Sequence, residues 1–216
     1  LGPLVEAART QGPPDPTRIR RGLMASSLQL SESMAPDTWA DARRAAAALG
    51  VQGELLIFQS AGSENALIHL VAEPIFLEIR GRLLSLLDSD SRLALFGHEL
   101  GHWLAHGPAS PDGALGPVAN AVIARAVQSL GSPPPEALRH ASALSMAREI
   151  TADRYGLLAS GSLDACLRLE MATTTGLSAG DLSWDTKSYL EQCKALAEQA
   201  LAEGESAWGL SHPEHG

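Results

Sequence analysis

The sequence predicts an α+β fold that is mostly helical and carries a small sheet of about three strands. Of the 216 residues, 45% are apolar but only 4% are aromatic, and alanine and leucine dominate. This balance favours helices that pack through small side chains. Short apolar runs at 54–60, 66–71 and 74–80 are separated by turn residues and indicate strands. Beyond residue 83 the apolar residues recur at helical spacing.

The chain is predicted to consist of two regions, an N-terminal arm and one domain. Residues 1–35 mix Gly, Pro and Ser and are predicted to form an N-terminal arm with a short helix near Ile19 to Leu30, and residues 36–216 form one domain. Pro36 begins a helix that Gly50 ends. The second and third strands are expected to pair as a hairpin. Further helices are predicted at 83–87, 90–106, 115–130, 135–159, 162–173 and 186–203.

Charge and hydropathy exclude several kinds of partner. The net charge is −9, and we find no Lys/Arg cluster to offset it, so nucleic acid is not expected as a partner. No apolar run approaches the roughly 20 residues that cross a bilayer, which predicts a soluble chain without a transmembrane segment. Cys166 and Cys193 both fall in helical stretches, and either two packed thiols or one bridge is compatible with this.

The helix predicted at 90–106 carries the pattern His-Glu-Leu-Gly-His. His98 and His102 are four residues apart, so they lie on one helix face and can present two imidazole nitrogens to one metal ion. The apolar residues of this helix lie on a different face: Leu93, Phe96, Leu100, Trp103 and Leu104. A catalytic zinc ion takes three protein ligands and keeps a position for water, for which Glu99 is the candidate base. His106 is interpreted as a capping or surface histidine.

A third ligand has to come from another element. A histidine six residues after His102, the metzincin pattern, is excluded because Pro108 occupies that position. The best candidate is Glu149, with Asp153 one turn later to orient a zinc-bound imidazole by accepting a hydrogen bond. Small residues surround Glu149, and the 90–106 helix has its own stripe of small residues, so the two helices are expected to cross closely. The stripe consists of Ala94, Gly97, Gly101 and Ala105.

Two other interpretations of this pattern remain open. The three ligands could hold a zinc ion whose fourth position is closed by His212 or by a carboxylate of the arm, which gives a latent or inactive protein-interaction domain. The histidines could also be ordinary surface residues without metal. An isolated Glu-x-x-x-Asp pair is usually a solvated charged face, but here it follows a predicted zinc helix.

These residues resemble the zinc endopeptidases that include HtpX and the type I CAAX prenyl proteases, within the gluzincins. The resemblance rests on the 98–102 motif, on residues 149–153, on Asn65-Ala66 at the start of a strand and on the lead-in at 83–88. It spans about residues 60 to 160 and implies a zincin-like fold. Many members carry membrane helices, and relatives usually continue past the point where this chain ends, so we expect a catalytic domain of a longer protein.

The resemblance implies a role for each matching residue. His98, His102 and Glu149 would bind one Zn²⁺ per chain, Glu99 would be the general base and acid, and Asp153 would support a ligand. The strand beginning at Asn65 and Ala66 would bind an extended protein or peptide substrate by edge pairing. His212, in a late His-Pro element, would help to stabilise the oxyanion. Relatives occur on both sides of bacterial membranes, so the compartment stays open between cytoplasm and periplasm.

Overall fold

The computed structural model describes residues 15–107, residue 110 and residues 135–202. The predicted helix at 115–130 and His212 lie outside these residues. The helices are α1 (Pro16–Ser26), α2 (Pro36–Ala48), α3 (Leu83–Leu86), α4 (Ser89–His106), α5 (Pro135–Ser160), α6 (Leu163–Thr175) and α7 (Thr186–Ala202). The strands are β1 (Leu28–Gln29), β2 (Leu55–Ser60), β3 (Asn65–Ile68) and β4 (Ile75–Arg80). The α+β prediction is confirmed within the described residues.

The sheet is mixed and has four strands in the order β1-β2-β4-β3. β3 and β4 form the predicted antiparallel hairpin, with Asn65 opposite Arg80 and Ile68 opposite Leu77. β4 runs parallel to β2, and β1 pairs antiparallel with the other side of β2. The sequence predicted about three strands and did not predict β1, which lies within the expected arm. This arrangement leaves β3 at one edge of the sheet.

Helices cover both faces of the sheet. On one face Leu23 of α1 packs in a small cluster with Leu56, Phe58, Val71 and Phe76. The other face forms the main core, in which the buried residues of β2, β3 and β4 meet α2 and α4. Its members include Ala42, Ala45, Ile57, Ile68, Ile75, Leu77, Ile79, Leu93, Phe96 and Leu100. The core therefore fixes α4 against the sheet beside its β3 edge.

A buried ionic network ties α2 to the beginning of α4. The carboxylate of Asp41 is only 5% exposed and accepts hydrogen bonds from Ser89 Oγ at 2.7 Å and from Arg92 Nε at 2.8 Å. Arg92 also donates to the carbonyl oxygen of Leu87 at 2.9 Å. The first turn of α4 is thus held from two sides.

Two further expectations concern membranes and cysteines. Within the part of the chain that the structure describes, no helix has the length and apolar character needed to cross a membrane. Cys166 is half-buried in α6 and Cys193 is exposed on α7, and both are free thiols. The bridged alternative for this pair is therefore wrong.

Candidate metal centre

The capping residues and the apolar face of α4 set the direction of its two ligand histidines. The side chain of Asp88 accepts a hydrogen bond from the backbone N–H of Ser91 at 2.8 Å, which caps the first turn. Leu93, Phe96 and Leu100 are buried in the core, as their spacing predicted. Because those residues face the sheet, the residues at 98 and 102 face away from the main core.

Glycines let α5 approach α4 on that side. A Cβ atom built at Gly97 would lie 2.5 Å from Ala159 Cβ and 2.8 Å from the carbonyl oxygen of Tyr155. A Cβ at Gly156 of α5 would lie 2.9 Å from the carbonyl oxygen of Ala94. No ordinary side chain fits at these positions without moving backbone. The predicted close crossing of the two helices is confirmed.

The crossing brings three candidate ligands together. The carboxylate of Glu149 lies 3.4 Å from His98 Nε2 and 3.3 Å from His102 Nε2, measured to the same oxygen. The two Nε2 atoms are 3.1 Å apart. The three side chains are only 13% to 16% exposed. Two nitrogens and one carboxylate oxygen thus converge on one point and could hold a metal ion.

The spacing of these atoms can be compared with a zinc site. Donors bound at about 2.0 to 2.1 Å to a tetrahedral ion lie about 3.3 to 3.4 Å from one another. The observed separations of 3.1, 3.3 and 3.4 Å match this value within 0.3 Å. The two imidazoles and one carboxylate are also a donor set that zinc accepts. The described residues therefore fit a tetrahedral ion without rearrangement of the helices.

Asp153 lies one turn after Glu149 and contacts the other side of His98. Its carboxylate oxygen is 2.9 Å from His98 Nδ1, and the Asp153 side chain is 56% exposed. A carboxylate that accepts the Nδ1–H leaves the lone pair of Nε2 directed at the other candidate ligands. For His102, no hydrogen-bond partner of Nδ1 is found among the described residues.

The charges around His98 favour a positive charge at this site. Burial lowers the pKa of His98, but hydrogen bonds to Asp153 and Glu149 and the charge of Glu99 outweigh it and raise the pKa to about 10. Burial raises the pKa of Glu149, whereas its hydrogen bonds to His102 and His98 lower it more, so the pKa of this carboxyl group lies well below its usual range. A bound metal ion would replace the proton that these carboxylates favour.

Glu99 follows His98 on α4 and is turned toward the sheet. Its side chain is 5% exposed, and burial raises its pKa, although the neighbouring charges of His98 and His102 oppose this effect. A backbone hydrogen bond from Ile68 of β3 reaches the carboxylate. In an antiparallel pair the backbone groups of alternate residues point away from the partner strand, and at β3 these are Ala66 and Ile68. Sequence reasoning missed Ile68, because its contribution is a backbone N–H that any residue would supply.

The candidate ligands and the edge of β3 line one open cavity of about 870 Å³. Asn65 and Ala66, predicted from the family resemblance to bind substrate, are among the residues that line it. The Asn65 side chain accepts a hydrogen bond from the outward N–H of Ala66 at 2.8 Å. The structure thus brings together seven of the eight predicted site residues. The eighth, His212, lies outside the described residues.

Comparison of this chain with protein-family models, with curated proteins and with solved structures finds no match. The interpretation of the centre therefore depends on its own geometry and chemistry.

Proposed function

We propose that the chain is a zinc-dependent endopeptidase whose metal is held by His98, His102 and Glu149. The observation that carries the proposal is the convergence of these three donors at 3.1 to 3.4 Å, at the separation that a tetrahedral ion requires, in an open cavity. The donors come from two helices, His98 and His102 from α4 and Glu149 from α5. Along the chain 46 residues separate His102 from Glu149, so only the crossing of α4 and α5 brings the donors together.

The position of Glu99 supports hydrolysis over a purely structural site. A zinc ion would supply a Lewis acid that polarises the scissile carbonyl and lowers the pKa of a water molecule. Glu99 lies beside both histidines, buried and with a raised pKa. A carboxyl group with a raised pKa can accept the proton of that water and return it to the leaving amine. A site that only stabilised the fold would give Glu99 no such task.

The edge of β3 supports a peptide as the substrate. An extended peptide that pairs with this edge gains backbone hydrogen bonds and lies along the cavity that contains the candidate ligands. Its peptide bonds then pass the point between Glu99 and the metal position. Ala66 and Ile68, whose backbone groups point away from β4, are the residues that would pair with such a strand, and Asn65 lies beside Ala66 in the cavity.

The test combines metal content with hydrolysis of casein and of quenched fluorescent peptides. The parent chain is compared with Glu99→Gln, and Glu198→Gln serves as a control because its carboxylate is exposed on α7 beside Lys194. We expect all three proteins to bind about one zinc ion per chain. Hydrolysis should fall about 10²- to 10⁴-fold in Glu99→Gln and stay unchanged in the control. His98→Ala should lose both zinc and hydrolysis.

Other outcomes would lead to different conclusions. If the parent chain binds zinc and does not cleave, the centre belongs to a latent or inactive zinc-bound interaction domain. If no zinc binds, the proposed function is wrong. If Glu99→Gln cleaves as fast as the parent, zinc can still be present but Glu99 is not the base.

A further inference from the structure

We propose that an apolar wall beside the candidate metal centre binds large apolar side chains at alternate positions of an extended peptide. The wall consists of Ile150 and Leu157 of α5 and Leu163 and Leu167 of α6. That this peptide is a substrate rests on the proposed function. The contact between the wall and apolar side chains does not, because it needs only the surface described below.

The wall is unusual because large apolar side chains are exposed on it. Ile150 is 44% exposed, Leu157 is 41% exposed and Leu163 is 55% exposed. Scattered apolar residues are common on protein surfaces and need no explanation. These three, together with the half-buried Leu167, line the same cavity as the candidate metal ligands. An apolar surface next to a cavity of this kind is typical of ligand sites.

The order of residues on α5 places the wall directly beside the candidate ligands. Ile150 follows Glu149, and Leu157 lies one turn after Asp153. Ile150 and Leu157 are seven residues apart and therefore share a helix face. That face is adjacent to the one that presents the Glu149 and Asp153 carboxylates to His98. A peptide side chain bound on the wall would therefore lie beside the candidate metal centre.

The edge of β3 determines which side chains of a peptide can reach the wall. A peptide that extends the sheet at β3 points successive side chains to opposite faces of the sheet. α4 packs on one face of the sheet, and α5 and α6 pack against α4 on that same side. Every second side chain of the peptide therefore points toward the wall. The intervening side chains point away from it and are not selected by it.

The experiment measures binding, so that it does not depend on catalysis. Two fluorescein-labelled octapeptides, identical except for leucine or serine at alternate positions, are titrated into the zinc-loaded full chain carrying Glu99→Gln. We expect the leucine peptide to bind at least about tenfold more tightly, as apolar pockets discriminate between side chains by such factors. Leu157→Gln and Leu163→Gln, added singly to the same protein, should each reduce this ratio severalfold.

Leu158→Gln is the matched control. Leu158 is 64% exposed on the same helix and does not line the cavity, so its replacement should leave the ratio unchanged. Zinc content and circular dichroism of each variant show whether the centre and the fold are retained.

Three results would overturn the proposal. The first is equal binding of the two peptides, as expected if another segment of this chain or a second copy covers the wall. The second is an unchanged ratio in both wall variants, and the third is an equal loss in the Leu158→Gln control. Hydrolysis by the parent chain, which retains Glu99, is assayed separately. A preference for the leucine peptide without hydrolysis supports the binding wall and refutes the proposed function. Hydrolysis without this preference supports the proposed function and refutes the binding wall.

Discussion

The close crossing of α4 and α5 predicts that a single methyl group at Gly97 destabilises the protein. In Gly97→Ala the added Cβ would lie 2.5 Å from Ala159 Cβ, 2.8 Å from the Tyr155 carbonyl oxygen and 3.0 Å from Gly156 Cα. Two of these three atoms belong to the backbone of α5. They cannot move by a change of rotamer, so the helices have to separate.

The expected magnitude is the difference between two effects. Replacing a helical glycine with alanine stabilises a helix by about 1 kcal/mol. Overpacking a tightly fitted contact costs about 1 to 3 kcal/mol, and occasionally more. Because the closest contacts at Gly97 include backbone atoms, we place the cost at the upper end, which leaves a net destabilisation of about 1 to 2 kcal/mol. For a chain of this size that corresponds to a melting temperature lower by about 2 to 8 °C.

Gly22→Ala is the matched control for this substitution. Gly22 lies within α1, and a Cβ built there meets no atom within 4 Å. The same replacement should therefore stabilise the protein by about 0.5 to 1 kcal/mol. Urea unfolding of the parent and the two variants gives the free energies. A second readout is zinc affinity, which should fall in Gly97→Ala because Glu149 moves away from the histidines. If both alanine variants are stabilised alike, the close-packing argument is refuted.

Three further predictions follow from contacts described above. Asp41→Asn should lower the free energy of unfolding by about 1 to 3 kcal/mol because Arg92 loses its buried charge partner. As a control, Arg43→Gln removes an ion pair with Glu32 that is exposed on both sides and should cost less than about 1 kcal/mol. Equal effects of the two substitutions in urea unfolding would contradict this prediction. Asp153→Asn should weaken zinc binding about 10- to 100-fold, measured by competition with a chelating dye, and unchanged affinity would show that this carboxylate does not support His98. Zinc at 100 times its dissociation constant should stabilise the fold by about 2.7 kcal/mol, and a melting temperature insensitive to chelator would argue against a bound ion.

The parts of this molecule that were predictable are those in which side-chain spacing carries the information. His98 and His102 lie on one helix, so helical geometry alone places them on the same face. Glu149 was predicted from its position one turn before Asp153 on the same helix face, and the small residues on both helices predicted the crossing, at which Gly97 and Gly156 do meet. Such matching works because close approach of two helices requires small residues on both.

The unpredicted parts depend on backbone groups or on long-range pairing. β1 contains only Leu28 and Gln29, too few residues to show an alternating pattern, and its pairing with β2 depends on where α1 lies. The bond between Asp41 and Arg92 joins residues that are 51 positions apart. The sequence contains many acidic and basic residues, and nothing in it shows that these two form a pair. Only the packing of α2 against α4 reveals it.

The hydrogen bond between the Ile68 N–H and Glu99 gives one backbone atom two competing uses. This N–H lies on the outer edge of β3, where a carbonyl oxygen of an added strand would accept a hydrogen bond from it. A peptide carbonyl that takes the N–H therefore frees the Glu99 carboxylate in the same event. Under the proposed function, the binding of the peptide and the release of the Glu99 carboxylate would then occur in a single step. A peptide too short to reach Ile68 would occupy the cavity and leave the base tethered to the strand.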